Sequence, residues 1–270
     1  MGAMKKWGGL VVVVCALALG ARAADNEEEL AKKLTNPVAD LISVPFQFNY
    51  DQGIGPTDEG QQYYMKFQPV VPISLNDDWN VISRTILPLI YTNRFVPPFD
   101  GPNFGTGDTT QSFFLSPKQP TSWGKFIWGA GPAFLIPTAT NGSLGSEKWG
   151  AGPTVVALKL TGPVTAGFLW NQIWGFAGNH NRARFNQTFF QPFVVYTTHT
   201  ATSFGANLES TYDFVSNRWT VPTNLFISQM ARIGSQIVQF QVGYRSYITT
   251  PAGGPNWGLR FAVTLLFPKG

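Results

Sequence analysis

Apolar and polar residues alternate along most of this chain, and residues 257–267 show the pattern most clearly. Trp257, Leu259, Phe261 and every second residue up to position 267 are apolar, whereas most of the residues between them are small or polar. A period of two places successive side chains on opposite faces of a β-strand. We therefore predict a strand here, with one apolar, aromatic face.

The same alternation, in places weaker, recurs through the chain and predicts about 12 antiparallel strands. The fourth segment alternates poorly and is assigned because a single-chain outer-membrane barrel needs an even number of strands. Connections that are short alternate with connections that are longer and rich in Gly, Pro and Asn, as on the two sides of such a barrel. The other segments are 44–50, 63–74, 79–91, 108–117, 126–136, 148–160, 164–177, 185–198, 204–214, 219–228 and 238–244.

Composition favours a membrane barrel over a soluble β-sandwich. Charged residues make up 13% of the chain and aromatic residues 14%, against about 25% charged residues in a typical soluble domain. No mature segment is apolar for the length of a membrane helix. Trp79 and Tyr91 lie on one face, far enough apart along a tilted strand to reach the two interfaces of a bilayer. We predict an all-β transmembrane β-barrel in which strand 44–50 pairs with strand 257–267.

The first residues read as a secretory signal peptide. Lys5 and Lys6 precede an apolar run that ends in Ala21-Arg22-Ala23-Ala24, so we predict export and cleavage after residue 24. Three of the 19 basic residues belong to this leader, against 15 acidic residues in all, which leaves a nearly neutral mature chain with no indication of nucleic-acid binding.

The predicted mature chain divides into three parts. Residues 25–42 form a helical segment at the periplasmic mouth or inside the barrel, with Asn36 capping a further helical turn; a disordered acidic leader is the alternative. Residues 43–267 form the barrel in the outer membrane of a Gram-negative bacterium, and residues 268–270 a short tail. We expect the outer-membrane lipid as a partner, and the barrel assembly machinery to recognise the C-terminal strand.

Several stretches resemble a bacterial outer-membrane family named for the meta-pathway of phenol degradation, whose members are labelled transporters. The resemblance implies an outer-membrane location and passage of small, often aromatic molecules; it implies no particular site residues. The stretches are NPVADLISVPFQFNY at 36–50, LNDDWNVISRT at 75–85, FFLSPK at 113–118, GAGPAF at 129–134, KWGAGP at 148–153, RWTVP at 218–222, and the closing strand.

The sequence offers little catalytic chemistry, so we predict neither an enzyme nor a cofactor. The single cysteine, Cys15, lies in the predicted leader, and the two histidines, His180 and His199, cannot build a metal site alone. Ser203 is close to His199 in sequence, which leaves a barrel-embedded hydrolase as a third possibility. Gly-Ala-Gly-Pro occurs at 129–132 and 150–153; in adjacent strands these glycines would let the wall bend, or leave room for something inside it.

The inward-facing positions carry the functional prediction. They are polar and mostly basic, which suits a conduit for small solutes, possibly aromatic or anionic, that cross the outer membrane passively. The alternative is a filled barrel whose charges pair across the interior and hold it shut. The charged residues predicted to line the lumen are Lys66, Arg84, Lys125, Glu209, Asp213, Arg245 and Arg260.

Overall fold

The computed structural model describes residues 21–93 and 102–268, and for residues 21–26 it describes the backbone alone. Helix α1, Ala21–Leu34, precedes a closed antiparallel barrel of 12 strands. Three strands consist of two parts separated by an irregularity. The strands are β1 Ile42–Ile54, β2 Gly60–Phe67 with Val70–Ser74, β3 Trp79–Asn93, β4 Asn103–Thr106 with Thr109–Pro117, β5 Phe126–Ile136, β6 Lys148–Thr161, β7 Val164–Gly178, β8 Asn186–Thr197, β9 Thr202–Leu208 with Ser210–Asp213, β10 Arg218–Ile233, β11 Gln236–Thr249 and β12 Trp257–Phe267.

Each strand pairs with the next along the chain, and the last strand closes the ring. β12 pairs with β1 in a continuous antiparallel ladder from Ile42 opposite Phe267 to Gln52 opposite Trp257. Closure leaves no unpaired edge, which a barrel in lipid requires. The predicted fold class and the predicted pairing of the first and last strands are therefore confirmed, and the weakly alternating segment 108–117 is a strand.

Alternation sorts the side chains between the two faces of the wall as expected. On β11, Phe240, Val242 and Tyr244 are 37%, 52% and 48% exposed, whereas Gln239 and Arg245 are 7% and 3% exposed. The outer surface is apolar and the inner one polar, the reverse of a soluble protein and the arrangement of a barrel in lipid. No helix within residues 21–93 and 102–268 is long and apolar enough to cross a membrane.

Aromatic rings collect at both ends of the outer surface. The end holding Ile42 and Phe267 is called the terminal end, and the opposite one the loop end. Trp79 contacts Trp128 at the terminal end, with ring centroids 6.0 Å apart. Tyr91 is at the loop end, in a row of rings in which consecutive centroids are 4.8–6.4 Å apart. The row runs Tyr91, Tyr63, Tyr50, Trp257, Tyr244.

The N-terminal segment, here residues 21–41, enters the terminal end of the barrel. Ala31 of α1 is fully buried in a cluster with Met230 and Leu266 from the wall. After the helix, the Thr35 hydroxyl lies 3.0 Å from the Thr165 hydroxyl on β7, and Val38 packs with Phe114 of β4. The segment therefore spans the lumen from the β10–β12 side to the β4–β7 side.

Two details of the predicted N-terminal segment differ in the structure. The helix begins at Ala21, within the predicted leader, of which residues 1–20 lie outside the described residues. Asn36 does not start a further helix: its side-chain oxygen accepts a hydrogen bond from the Val38 N–H at 3.0 Å in a single turn. A helix cannot continue here because the backbone must become extended by Ile42 to pair with Phe267.

The first Gly-Ala-Gly-Pro stretch leaves room inside the barrel, one of the two predicted roles, and also allows close strand packing. A Cβ on Gly129 would lie 3.1 Å from both Val38 and Phe114, so the missing side chain leaves room for the N-terminal segment. A Cβ on Gly131 would lie 2.1 Å from the Phe113 carbonyl oxygen, so the absence of a side chain lets β4 and β5 approach closely.

The connections keep the predicted asymmetry. At the terminal end, β6–β7 and β10–β11 are joined by tight turns at 162–163 and 234–235, whereas connections at the loop end include 137–147 and 250–256. Between β3 and β4, residues 94–101 lie outside the described residues, as do residues 269–270 of the predicted tail.

Candidate functional site

Two neighbouring cavities lie inside the barrel among the described residues. The lower cavity, about 240 Å³, lies between the N-terminal segment and the wall. The upper cavity, about 450 Å³, extends from there toward the loop end. Six wall residues border both cavities, which are therefore neighbours along the lumen: Gln68, Arg84, Gln191, Asn207, Phe226 and Gln241.

A carboxylate between two arginines is the strongest electrostatic feature of the lumen. Arg260 on β12 donates to both oxygens of Glu209, from Nη1 at 2.8 Å and Nη2 at 3.1 Å. Glu209 lies at the break between the two parts of β9, and Arg245 Nη2 on β11 is 3.8 Å from it. A bidentate pair fixes the orientation of both groups. Glu209 is thus engaged by two of the lumen cations.

A second carboxylate, Asp51 on β1, compensates Arg245 from the loop side. Arg245 Nε lies 3.8 Å from Asp51 Oδ1, and Asp51 also accepts a hydrogen bond from the Tyr247 hydroxyl at 2.8 Å. Arg245 donates to the Tyr64 hydroxyl, and its guanidinium lies 5.7 Å and 5.5 Å from the ring centroids of Tyr64 and Tyr247. Asn49 Oδ1 joins the two arginines by accepting from Arg245 at 3.2 Å and from Arg260 at 2.9 Å.

Lys66 and Arg84 face the upper cavity, where Glu209 attracts both of them from beyond ion-pair distance. Arg84 Nη2 donates to the Gln68 side-chain oxygen at 3.2 Å, and the Lys66 ammonium lies 5.5 Å from the centroid of the Tyr64 ring. Neither forms an ion pair with a carboxylate of the described residues. Asp108, a third carboxylate on this wall, accepts hydrogen bonds from the Ser146 hydroxyl at 2.6 Å and the Ala139 N–H at 3.3 Å. The lumen thus carries a positive surplus.

One predicted lining residue, Lys125, lies elsewhere, and another, Asp213, lies at the rim of the lumen, where it accepts a hydrogen bond from Gln187 of the cavity wall at 3.3 Å. Lys125 is exposed in the turn before β5, with a positive φ of 53°, so its assignment to the lumen was wrong. The turn 118–125 takes this residue out of the alternation that β5 begins at Phe126. Asp213 is at the loop-end terminus of β9, where its Oδ1 accepts from the backbone N–H groups of Val215 and Ser216 at 2.8 and 3.2 Å. It caps a turn at the rim.

The structure adds three polar residues that the sequence reasoning did not include: Asp51, Tyr64 and Tyr247. All three continue the alternation of residues already placed inward. Asp51 follows Gln47 and Asn49 at a spacing of two, Tyr64 precedes Lys66, and Tyr247 follows Arg245. Tyr64 lies within the predicted segment 63–74, and extending the period past the predicted ends of the other two strands would have found Asp51 and Tyr247.

The residues considered for catalysis do not come together. The His199 side chain is 97% exposed in the β8–β9 turn, where Nδ1 is 2.8 Å from Glu28 of α1. The Ser203 hydroxyl is buried and bonded to that of Thr197 at 3.0 Å. Within the described ranges, no group of three or more His, Cys, Asp or Glu residues could hold a metal ion. His199 instead connects the wall to the N-terminal segment.

Comparison with known proteins supports the architecture. No family model and no curated protein sequence matches the chain. An outer membrane channel from Pseudomonas putida F1 has a TM-score of 0.65 at 15% identity, over 84% of this chain and 96% of that one. This chain has the fold of an outer-membrane β-barrel. The outer membrane phospholipase A from Escherichia coli is more distant, with a TM-score of 0.47 at 9% identity, over 90% of this chain and 98% of that one.

Proposed function

We propose that this chain is a passive channel for small solutes in the bacterial outer membrane. The observation that carries the proposal is the pair of neighbouring cavities along the lumen of a closed barrel, with many polar and charged side chains in their walls. A barrel of 12 strands is wide enough for either a filled or an open interior. Space that extends from the upper cavity down to the N-terminal segment favours passage.

The exterior supports a position in a lipid bilayer. Apolar and aromatic side chains cover the outer surface, and a row of rings at each end suits the two membrane interfaces. Lipid is then the partner of the outer face. A cleaved leader at residues 1–24 and recognition of β12 by the barrel assembly machinery complete the proposal for how the chain reaches the outer membrane.

The charge distribution supports a preference for anions. Glu209 and Asp51 lie within ion-pair distance of the Arg260–Arg245 pair, whereas Lys66 and Arg84 have no carboxylate that close among the described residues. Positive side chains that line a narrow pore favour anions over cations. Selectivity for aromatic solutes has its support in the family resemblance of the sequence.

A structural barrel without an open pore is the second candidate, and the N-terminal segment favours it. Residues 21–41 span the terminal end, where Ala31 and Leu41 are 0% and 4% exposed. If this segment stays in place, the lower cavity has no exit of solute size to the periplasm. If it moves, or leaves a path beside it, the channel conducts.

Conductance of the full-length mature protein in a planar bilayer distinguishes the two candidates. A channel gives current steps, and under a KCl gradient the reversal potential shifts toward that of chloride. A variant that lacks residues 25–40, which keeps the β1–β12 ladder from Ile42, tests the N-terminal segment. Silent bilayers with both proteins would refute the channel and establish the structural barrel.

A further inference from the structure

Two cations on one cavity wall have unused binding capacity. Arg84 has five N–H donors in a fixed plane, and one hydrogen bond is formed among the described residues, to Gln68. Lys66 contacts the face of Tyr64. The neighbouring carboxylate, Glu209, is held by Arg260 at 2.8 Å and Arg245 at 3.8 Å. Buried charges are normally paired, so these two cations are suited to an anion that arrives from outside.

Arg84 lies where the upper and lower cavities meet, on the path of an anion along the lumen. It lines both the upper and the lower cavity, together with its partner Gln68. The planar guanidinium matches the two oxygens of a carboxylate, whereas Lys66 adds a point charge from the adjacent strand β2. Asp108 and Glu209, which also line the upper cavity, disfavour ligands of higher negative charge. The charge balance therefore suits a monoanion.

Part of the wall of the upper cavity is apolar. At about 450 Å³ the cavity exceeds the roughly 150 Å³ of an engineered apolar cavity that accepts benzene. Covering these apolar side chains with the hydrocarbon part of an organic acid gains free energy, which a hydrated inorganic ion does not provide. The apolar side chains that line the cavity are Ile86, Leu135, Ile173, Phe185, Phe189 and Phe226.

We propose that the upper cavity is a binding site for small monocarboxylates with a compact apolar body. The carboxylate binds Arg84 and Lys66, and the apolar body lies against Phe189 and Phe226. This inference rests on the proposed function, since the solute must enter through the lumen. It adds a saturable site to what would otherwise be unspecific diffusion.

Ligand-induced thermal stabilisation of the full-length mature protein in detergent tests the site independently of conductance. A ligand that binds the folded state alone raises the melting temperature with concentration. We expect benzoate to raise it in a saturable manner. Benzyl alcohol, the neutral analogue, should produce no saturable shift, and acetate, which lacks the apolar body, should need at least a tenfold higher concentration.

Variants assign the site to its residues. Arg84→Gln should weaken the apparent Kd for benzoate about tenfold or more, since it removes a charge-assisted bond, and Lys66→Gln should weaken it to a smaller extent. Lys125→Gln, which removes an exposed lysine in a turn, is the matched control and should leave the Kd unchanged. If Arg84→Gln does not fold, as judged by circular dichroism, Lys66→Gln and Arg84→Lys provide the test.

The outcomes separate this inference from the proposed function. A conducting protein with no benzoate-dependent shift, or with equal shifts for benzoate and benzyl alcohol, would overturn the site and leave the channel intact. Equal affinity for acetate and benzoate would overturn the role of the apolar wall. A protein that binds benzoate but never conducts would keep the site and refute the channel.

Discussion

Glu209→Gln tests the arrangement of charges in the lumen. Arg260 and Glu209 form a bidentate pair at 2.8 and 3.1 Å, and their side chains are 3% and 11% exposed. Removal of one partner from a buried pair costs about 3–5 kcal/mol, because the other charge remains uncompensated. Arg260 keeps Asn49 as an acceptor at 2.9 Å. We therefore expect a loss near the low end, about 3 kcal/mol in free energy of unfolding.

Urea-induced unfolding in lipid vesicles, under conditions where refolding is reversible, measures this loss. Asp213→Asn is the matched control, because it is the same change of carboxylate to amide in a turn at the rim, and it should cost less than about 1 kcal/mol. Arg260→Met alone and combined with Glu209→Gln completes a double-mutant cycle, in which residues in direct contact show a coupling of about 0.5–3 kcal/mol.

Two results would refute the reasoning about Glu209. A cost no larger than that of Asp213→Asn would mean that water screens the pair and that the lumen is wet at this depth. Additive effects of Glu209→Gln and Arg260→Met would mean that the two groups do not contact each other in the membrane. Either result would also contradict the inference that Glu209 pairs with Arg260 and Arg245 in preference to Lys66 and Arg84.

Three further predictions concern the outer face and the N-terminal segment. Leu208→Arg should lower the free energy of unfolding by about 2–4 kcal/mol if residue 208 faces lipid near mid-bilayer, whereas Asn207→Arg, on the lumen side, should lower it far less. Equal losses in bilayer refolding experiments would contradict the outward position of Leu208. Gly129→Leu should displace Val38, which lies 3.1 Å from the added Cβ, and raise the open probability in bilayers; unchanged conductance would refute this. Hydrogen bonds from Lys32 and His199 lower the pKa of Glu28 from its ordinary value of 4.5. The ionised carboxylate therefore helps to hold α1 in place above about pH 4.5, and this contribution is lost as the pH falls through the lowered pKa. Limited proteolysis of α1 should therefore accelerate at acidic pH in the wild type but not in Glu28→Gln, and identical pH profiles would count against it.

The sequence determined the strands, their number and their two faces. A period of two requires no knowledge of neighbours, because each side chain points away from the one before it. This is why Phe240 and Val242 could be placed outward, and Arg245 and Arg260 inward, without a structure. The same regularity identified the closing pair, since a barrel without edges must join its last strand to its first.

Regularity failed where a turn interrupts it. Lys125 immediately precedes β5, and the alternation placed it on the inner face of that strand. Its backbone has a φ of 53°, outside the β region, and its side chain is exposed in the turn. In the opposite direction, Asp51 and Tyr247 were missed because the predicted strands ended too early. Strand ends depend on turn geometry and on pairing with the neighbouring strand, which alternation does not encode.

Only the tertiary structure decided which inward charges meet. Alternation places a residue on the inner face, but its height and its position around the ring depend on strand stagger, tilt and irregularities across the whole barrel. Glu209 and Arg260, 51 positions apart, lie on β9 and β12, which are not adjacent, and they meet across the lumen. The sequence likewise did not determine the path of the N-terminal segment. That path depends on the space that Gly129 leaves by lacking a side chain, and on contacts with strands on both sides of the lumen. For the same reason the sequence predicted a basic lumen, but only the fold separates the paired cations from Lys66 and Arg84.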